Sequence, residues 1–126
     1  MSDIEQLKAR ALAARRFSVV VDGRTYVLQL PTQHELELAA ARKAAGEAGM
    51  VEFFRAQLER AVVGWSDITD AVFVGGQSLD YAPVPYSPEL VPWLLDAQPA
   101  DAEQLRAALI EKLAERRARV EAAAKN

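Results

Sequence analysis

The chain has 126 residues, a length that suits one domain built on one hydrophobic core. Apolar residues make up 51% and charged residues 26%, near the average for folded soluble proteins, so the composition argues against wholesale disorder. The absence of cysteine excludes disulfides, thiolate zinc sites and thiol catalysis, and a net charge of −3 gives no general attraction to nucleic acid or to a membrane surface.

Ser2 and Glu5 form an S-x-x-E capping box that opens a helix over residues 1–16, with Ile4, Leu7, Ala11 and Ala14 as a stripe along one side. The segment MSDIEQLKARALAARRF has no apolar run, so no secretory signal is expected. No stretch reaches the roughly 18 apolar residues of a membrane span, and the reading is of a soluble intracellular chain. FSVVVDGRTYVLQL, residues 17–30, reads as a β-hairpin, because Asp22-Gly23 suits a two-residue turn with both residues at positive φ. That register puts Phe17, Val19, Val21, Tyr26, Leu28 and Leu30 on one face, and Ser18, Thr25 and Gln29 on the other beside Val20 and Val27. A lone hairpin is marginal in water, so this face must lie on helices or gain strands.

Residues 31–65 read as a helical pair. Thr32 and Glu35 make a second capping box, and Gly46 and Gly49 end the first helix. In the second, Val51, Phe54, Leu58, Ala61 and Trp65 recur at three- and four-residue steps as the expected centre of the core, with Gly64 as terminator. Residues 66–86 form an insert without helical period, for which the alternatives are an ordered loop or a second short hairpin near 71–81, AVFV and SLDY flanking Gly75-Gly76. Pro83 and Pro85 hold the chain extended. Residues 87–126 supply the C-terminal helices: a short one, capped by Ser87 with Pro88 first and Pro92 near its start, then a long one opened by Pro99, Asp101 and Gln104. Its stripe of Leu105, Leu109, Ile110, Leu113 and Val120 thins after Leu113, which predicts a solvated or fraying end. No repeat or linker divides the chain. The expected fold is a single α+β domain over 1–126, mainly helical, with an N-terminal hairpin packed on a small helical bundle.

Charge is unevenly placed. No Lys or Arg lies between Arg60 and Arg106, a window holding Asp67, Asp70, Asp80, Glu89, Asp96, Asp101 and Glu103, whereas residues 106–126 carry six basic groups. Either the solvated surface segregates by sign, or basic ends meet the acidic middle of a neighbouring copy in a head-to-tail homo-oligomer.

Side chains that carry chemistry are sparse. The sole histidine, His34, sits in a first helical turn and reads as a surface residue. No phosphate-binding loop, nucleophile elbow or zinc-protease motif occurs, and Gly75-Gly76 suits a turn. The acidic pairs Glu35/Glu37 and Asp67/Asp70 lack the ligand order of a calcium loop. The basic clusters near Arg15 and Arg116 have acidic neighbours, so no nucleic-acid partner is expected. No catalytic, cofactor or metal-binding residue is therefore nominated. What stands out is apolar: Trp65, Tyr81, Tyr86 and Trp93 fall within thirty residues of one another. Trp65 belongs to the core by its stripe. Tyr81, Tyr86, Leu90 and Trp93 are the candidates for partner binding.

A hairpin leading into PT-x-x-E, a helix ending in AVVGW, a variable insert, then PYSPELVPWLLD and an Arg/Glu-rich helix closing in AAAKN resembles the tail assembly chaperones of long-tailed bacteriophages and prophages. The likeness runs from about Phe17 to Asn126, with the segment from Asp70 to Ala82 as an insertion. It implies a non-enzymatic protein of the host bacterial cytoplasm. Such a protein coats the aggregation-prone tape measure protein, contacts tail tube subunits, and is absent from the finished virion. It also implies, for many phages, a frameshifted longer form, and hence a repetitive heptamer in the gene before the stop codon. The alternatives are a small structural virion subunit of tail or connector, or a regulatory protein that binds a host factor.

Overall fold

A computed structural model describes residues 2–46, 49–74 and 81–125. Ser2 Oγ accepts the Glu5 N–H and starts α1, Asp3–Ala14. Two strands follow without a linker, β1 over Arg16–Val21 and β2 over Arg24–Gln29. They pair in the register expected from Asp22-Gly23, with Val19 opposite Tyr26 and Val21 opposite Arg24, and both turn residues have positive φ, 48° and 79°. The full Thr32/Glu35 capping box opens α2, Gln33–Ala44. Gly46, at φ 77°, turns the chain away in a backbone region that costs glycine little. The helix α3 then runs from Met50 to Ala61.

The sequence pattern misses what comes next. The α3 helix stops at Ala61, and Val62–Ser66 is a third strand, β3, antiparallel to β2, giving the sheet order β1-β2-β3. Gly64 lies inside that strand opposite Val27 and terminates nothing. The physical reason is a bulge. Val27 pairs with Gly64 but Leu28 pairs with Val62, so Val63 is the extra residue. Strict alternation would send Val62 and Trp65 to opposite faces, yet the bulge turns both inward, where they are 2% and 9% exposed. Inward positions at 58, 61, 62 and 65 imitate a helical stripe although the backbone has changed type.

The insert contains no second hairpin among the described residues. Ala71, Val72 and Phe73 of the expected hairpin lie in a one-turn helix, α4, Asp70–Phe73, while Gly75-Gly76 and most of SLDY lie outside the described residues. The base of the excursion is closed by antiparallel pairing. Thr69 bridges Pro83, the Asp70 N–H reaches the Ala82 carbonyl at 2.9 Å, and the Val84 N–H reaches that of Ile68 at 2.8 Å.

Ser87 precedes a 3-10 turn, Pro88–Leu90, without capping it through its side chain, and α5, Val91–Ala97, continues directly, with Pro92 in its first turn where a missing N–H is harmless. The last helix, α6, spans Pro99–Lys125, so its far half is exposed but remains regular helix, as an Ala-, Glu- and Arg-rich sequence favours.

One face of the sheet carries the core. Val21, Tyr26, Leu28, Leu30, Val62 and Trp65 meet Leu58 and Ala61 of α3, Val91, Leu94 and Leu95 of α5, and Leu105 and Leu109 of α6. The aliphatic and basic flank of α6 completes the cover: Lys112 Nζ lies 5.7 Å from the centre of the Phe17 ring, and the Arg106 guanidinium 5.7 Å from that of Phe54.

Asp101 departs from its expected role as a helix opener. It sits inside the first turn of α6, 1% exposed, with both carboxylate oxygens 2.8 Å from the Arg24 guanidinium and Oδ2 2.5 Å from the Tyr26 hydroxyl. Burial by itself would raise the Asp101 pKa; the hydrogen bonds from Arg24 and Tyr26 outweigh it and hold the carboxyl below its ordinary range. The same arrangement raises the Tyr26 phenol above its usual value, by burial first and by the neighbouring carboxylate second.

Replacing Asp101 by Ala leaves a buried Tyr26 hydroxyl without its acceptor and a partly buried guanidinium with only the exposed Asp22 at 3.8 Å, and is expected to cost about 2–3 kcal/mol in urea unfolding. Because the folded carboxyl titrates below the unfolded one, its contribution is complete above about pH 4 and is lost as pH falls through the folded value. Stability measured against pH in the acid range should therefore fall more steeply for the native chain than for Asp101→Asn; parallel curves would contradict this.

Candidate functional site

The proline-rich segment 82–96 is best read by where its backbone groups go. Pro83 and Pro85 have no N–H, so between them only Val84 offers a donor. That donor goes to Ile68, and the Val84 carbonyl accepts the Trp65 indole N–H at 2.9 Å. The first part of the segment, residues 82–87, is an extended strap laid across β3, ahead of the 3-10 turn and α5. Tyr86 fastens its end: its ring meets Trp65 edge-on at 5.0 Å, and its hydroxyl donates to the Val62 carbonyl at 2.9 Å. Burial raises the Tyr86 pKa, as befits a hydroxyl that stays protonated and donating.

The four residues nominated from the sequence thus divide. Tyr86 and Leu90 are half-buried and pack on the core, where they position the strap and the start of α5. Trp93 and Tyr81 face outward, 70% and 61% exposed. Trp93 projects from the side of α5 opposite the buried Val91, Leu94 and Leu95, and Tyr81 stands at the return of the insert with φ 47°. Arg55 of α3 braces this surface, reaching the Pro92 carbonyl at 3.0 Å, Asp96 at 2.8 Å and Glu59 at 2.9 Å. An indole is therefore held out on a helix whose inner face is fixed by the core and whose flank is fixed by an arginine.

Two further apolar surfaces escaped nomination. None of the residues of α1 is buried, with Ile4 67% and Leu7 63% exposed. Between α2 and the far half of α6 runs a groove of about 840 Å³, lined by Leu36, Ala40, Ile110, Leu113, Ala114 and Val120 among others. Part of the sequence signal was present: a stripe on α1 without a stated partner, and Ile110, Leu113 and Val120 on an α6 stripe that thins after Leu113.

Several charged groups outside these surfaces make contacts within the chain. Glu35 closes its capping box, and the Thr32 backbone N–H, against opposing burial, holds its carboxyl below the usual range, helped by the Thr32 hydroxyl and Arg15. In the basic clusters Arg15 engages Leu30 and Glu35, Arg16 engages Gln29, and Arg116 donates to the Pro31 carbonyl. Among the described residues no group of three His, Asp or Glu side chains could hold a metal ion, and no helix is long and apolar enough to cross a membrane. In the acidic window, Asp96 and Asp101 are taken up by Arg55 and Arg24. Two charges of the head-to-tail alternative are thereby answered within the chain.

No protein-family model matches the sequence, and neither a curated protein nor a solved structure matches it.

The two aromatic roles separate by stability. Trp93→Ala is expected to shift the unfolding free energy by no more than about 0.5 kcal/mol, as at other exposed positions. Tyr86→Ala removes a ring from Trp65 and a donor from a partly buried carbonyl, and should cost about 3 kcal/mol. Equal effects in chemical denaturation would contradict the division.

Proposed function

We propose that the chain is a tail assembly chaperone of a long-tailed phage or prophage, a non-enzymatic binding protein acting in the host bacterial cytoplasm. Its client is the tape measure protein, and the tail tube subunit is the second partner. The observation that carries the reading is Trp93: an indole 70% exposed on a short helix, with Tyr81 also exposed, in a domain whose core is already closed by other residues. Single exposed aliphatic residues are ordinary on protein surfaces. An outward Trp held by proline and arginine is costly to leave in water and effective against an apolar partner.

The sequence likeness supports the same reading at its own residues. PT-x-x-E caps α2, AVVGW is the junction of α3 with β3, and PYSPELVPWLLD is the end of the strap with the 3-10 turn and the helix α5 that carries Trp93. These segments shape and present a surface and include no reactive group. Coating a long helical client needs modest affinity per copy, multiplied along the client by many copies, and a pre-ordered strap lowers the ordering cost of each contact. In this mechanism Trp93 and Tyr81 touch the client while Tyr86 and Leu90 hold them in place.

Co-expression with the large coiled-coil product of a neighbouring gene, followed by affinity capture, tests the proposal. The native chain should retain that product in solution, and Trp93→Ala should weaken its capture roughly 30-fold with the fold intact. Undiminished capture by Trp93→Ala would remove the site. Stoichiometric recovery of the chain from purified particles would replace the reading with a structural virion subunit.

A further inference from the structure

The sheet order β1-β2-β3 leaves β1 at an edge, and one bond fixes which of its backbone groups face out. The Leu30 N–H donates to the Arg15 carbonyl at 2.8 Å, in line with the pairing of Phe17 with Leu28, Val19 with Tyr26 and Val21 with Arg24. Antiparallel partners alternate between hydrogen-bonded and non-hydrogen-bonded pairs, so the odd-numbered residues of β1 are the ones bonded to β2. The N–H and C=O groups of Arg16, Ser18 and Val20 therefore point away from the sheet. Among the described residues none gives Ser18 or Val20 a backbone partner. The helix α1 leaves them open, since none of its residues is buried, and Ser18 and Val20 are exposed, Val20 by 66%.

Exposed edges are ordinarily guarded by proline, by lysine or by a bulge that twists them away. From Phe17 to Val21 there is none of these: the run is Phe, Ser, Val, Val, Val, in unbroken register with β2. Charge stands at its two ends instead, Arg16 before it and Asp22 after it. Among the described residues Arg16 has no carboxylate partner and reaches only Gln29. The Asp22 side chain is 79% exposed, 3.8 Å from an Arg24 that Asp101 already holds. An uncharged run with opposite charges at its ends is complementary to itself when a second copy lies antiparallel, whereas a parallel copy would set like charges together.

We propose that β1 pairs antiparallel with β1 of a second copy about a twofold axis at Val19, joining the two sheets into one continuous sheet. Outward groups must meet outward groups, so Ser18 of each copy exchanges both backbone hydrogen bonds with Val20 of the other. Arg16 of each copy then lies opposite Asp22 of the other at the two ends of the ladder, and Phe17 lies opposite Val21. The half-buried Phe17 and Val19 gain cover along the seam between two cores. The contact uses the same surface on both copies and closes at a dimer, unlike the head-to-tail alternative. One short strand pair buries less than the roughly 1,200–2,000 Å² of stable interfaces, so dimerisation depends on concentration. It does not rest on the chaperone reading.

The chain has no cysteine, which makes site-directed cross-linking clean. Val19 meets its own copy across the axis as a non-hydrogen-bonded pair, where Cα atoms lie about 4.5 Å apart, within the disulfide range. Val20 is the more exposed of the two but is displaced along the strand from its own copy. Under mild oxidation Val19→Cys should therefore form a disulfide-linked dimer about tenfold faster than Val20→Cys. In sedimentation velocity of the purified protein, Val20→Pro removes an N–H that β2 does not use, at an edge position that accepts proline, and should abolish the dimer with the circular dichroism unchanged. Arg16→Glu reads the same contact without a backbone change. It sets two like-charge contacts across the seam and should raise the dimerisation midpoint roughly fivefold, and Arg16→Glu combined with Asp22→Asn should recover most of that. A chain that stays monomeric at every concentration would overturn the proposal, as would faster linkage through Val20→Cys than through Val19→Cys. If a monomeric chain captures the tape measure protein and loses it on Val20→Pro, the edge belongs to a strand of the client, and the chaperone reading stands without this contact.

Discussion

The structure depends on one buried ionic contact between residues far apart in sequence. Arg24 at the end of the hairpin turn, Tyr26 on β2 and Asp101 in the first turn of α6 share one carboxylate, at 2.5–2.8 Å. A carboxylate out of water is expensive, and here the cost is offset because both its oxygens are satisfied by the fork of a guanidinium that itself keeps some contact with solvent. The contact fixes the rotation and height of α6 on the sheet. That in turn sets Leu105 and Leu109 into the core and sends the far half of the helix beyond it. A hydrophobic contact at the same place would hold the helix less specifically, since apolar packing tolerates sliding that a bidentate pair does not.

From this joint the working surfaces follow. The bulge at Val63 brings Val62 and Trp65 to one face, so a single strand offers the Tyr86 hydroxyl a carbonyl and the Val84 carbonyl an indole N–H. The strap is thereby placed, α5 begins where the strap ends, and Trp93 points to solvent because Val91, Leu94 and Leu95 cannot. At the other end of the molecule α6 overshoots the sheet and leaves a groove against α2. The molecule is a closed core with greasy side chains displayed at defined places outside it.

Much of this was legible in the sequence, for local reasons. Asp22-Gly23 dictates both turn and register, and Thr32/Glu35 dictates a helix start, because each signal lies within a few residues of its effect. The β3 strand was not legible, since a bulged strand that follows a helix without a loop repeats the helix's own spacing, and Gly64 then looks like a stop. Asp101 was hidden for a different reason: beside Pro99 it resembles a cap, and its partners lie 75 and 77 residues away. For the candidate site, composition located the segment but could not separate Tyr86 from Trp93. One aromatic residue on a strap and one on a seven-residue helix have too little periodicity to show which faces inward. The stripe on α1 was visible, whereas its lack of an internal partner needed the whole fold.

The central claim is that the sheet and the first half of α6 form one rigid unit, pinned at Asp101, from which α1 and the end of α6 project without internal support. Native-state amide hydrogen exchange on a dilute sample measures this directly. The account predicts that β1, β2, β3 and residues 102–113 exchange slowest and with a common free energy, while residues 5–14 and 117–125 exchange orders of magnitude faster. Protection of α1 equal to that of the sheet at high dilution, or a hairpin that opens independently of α6, would contradict it.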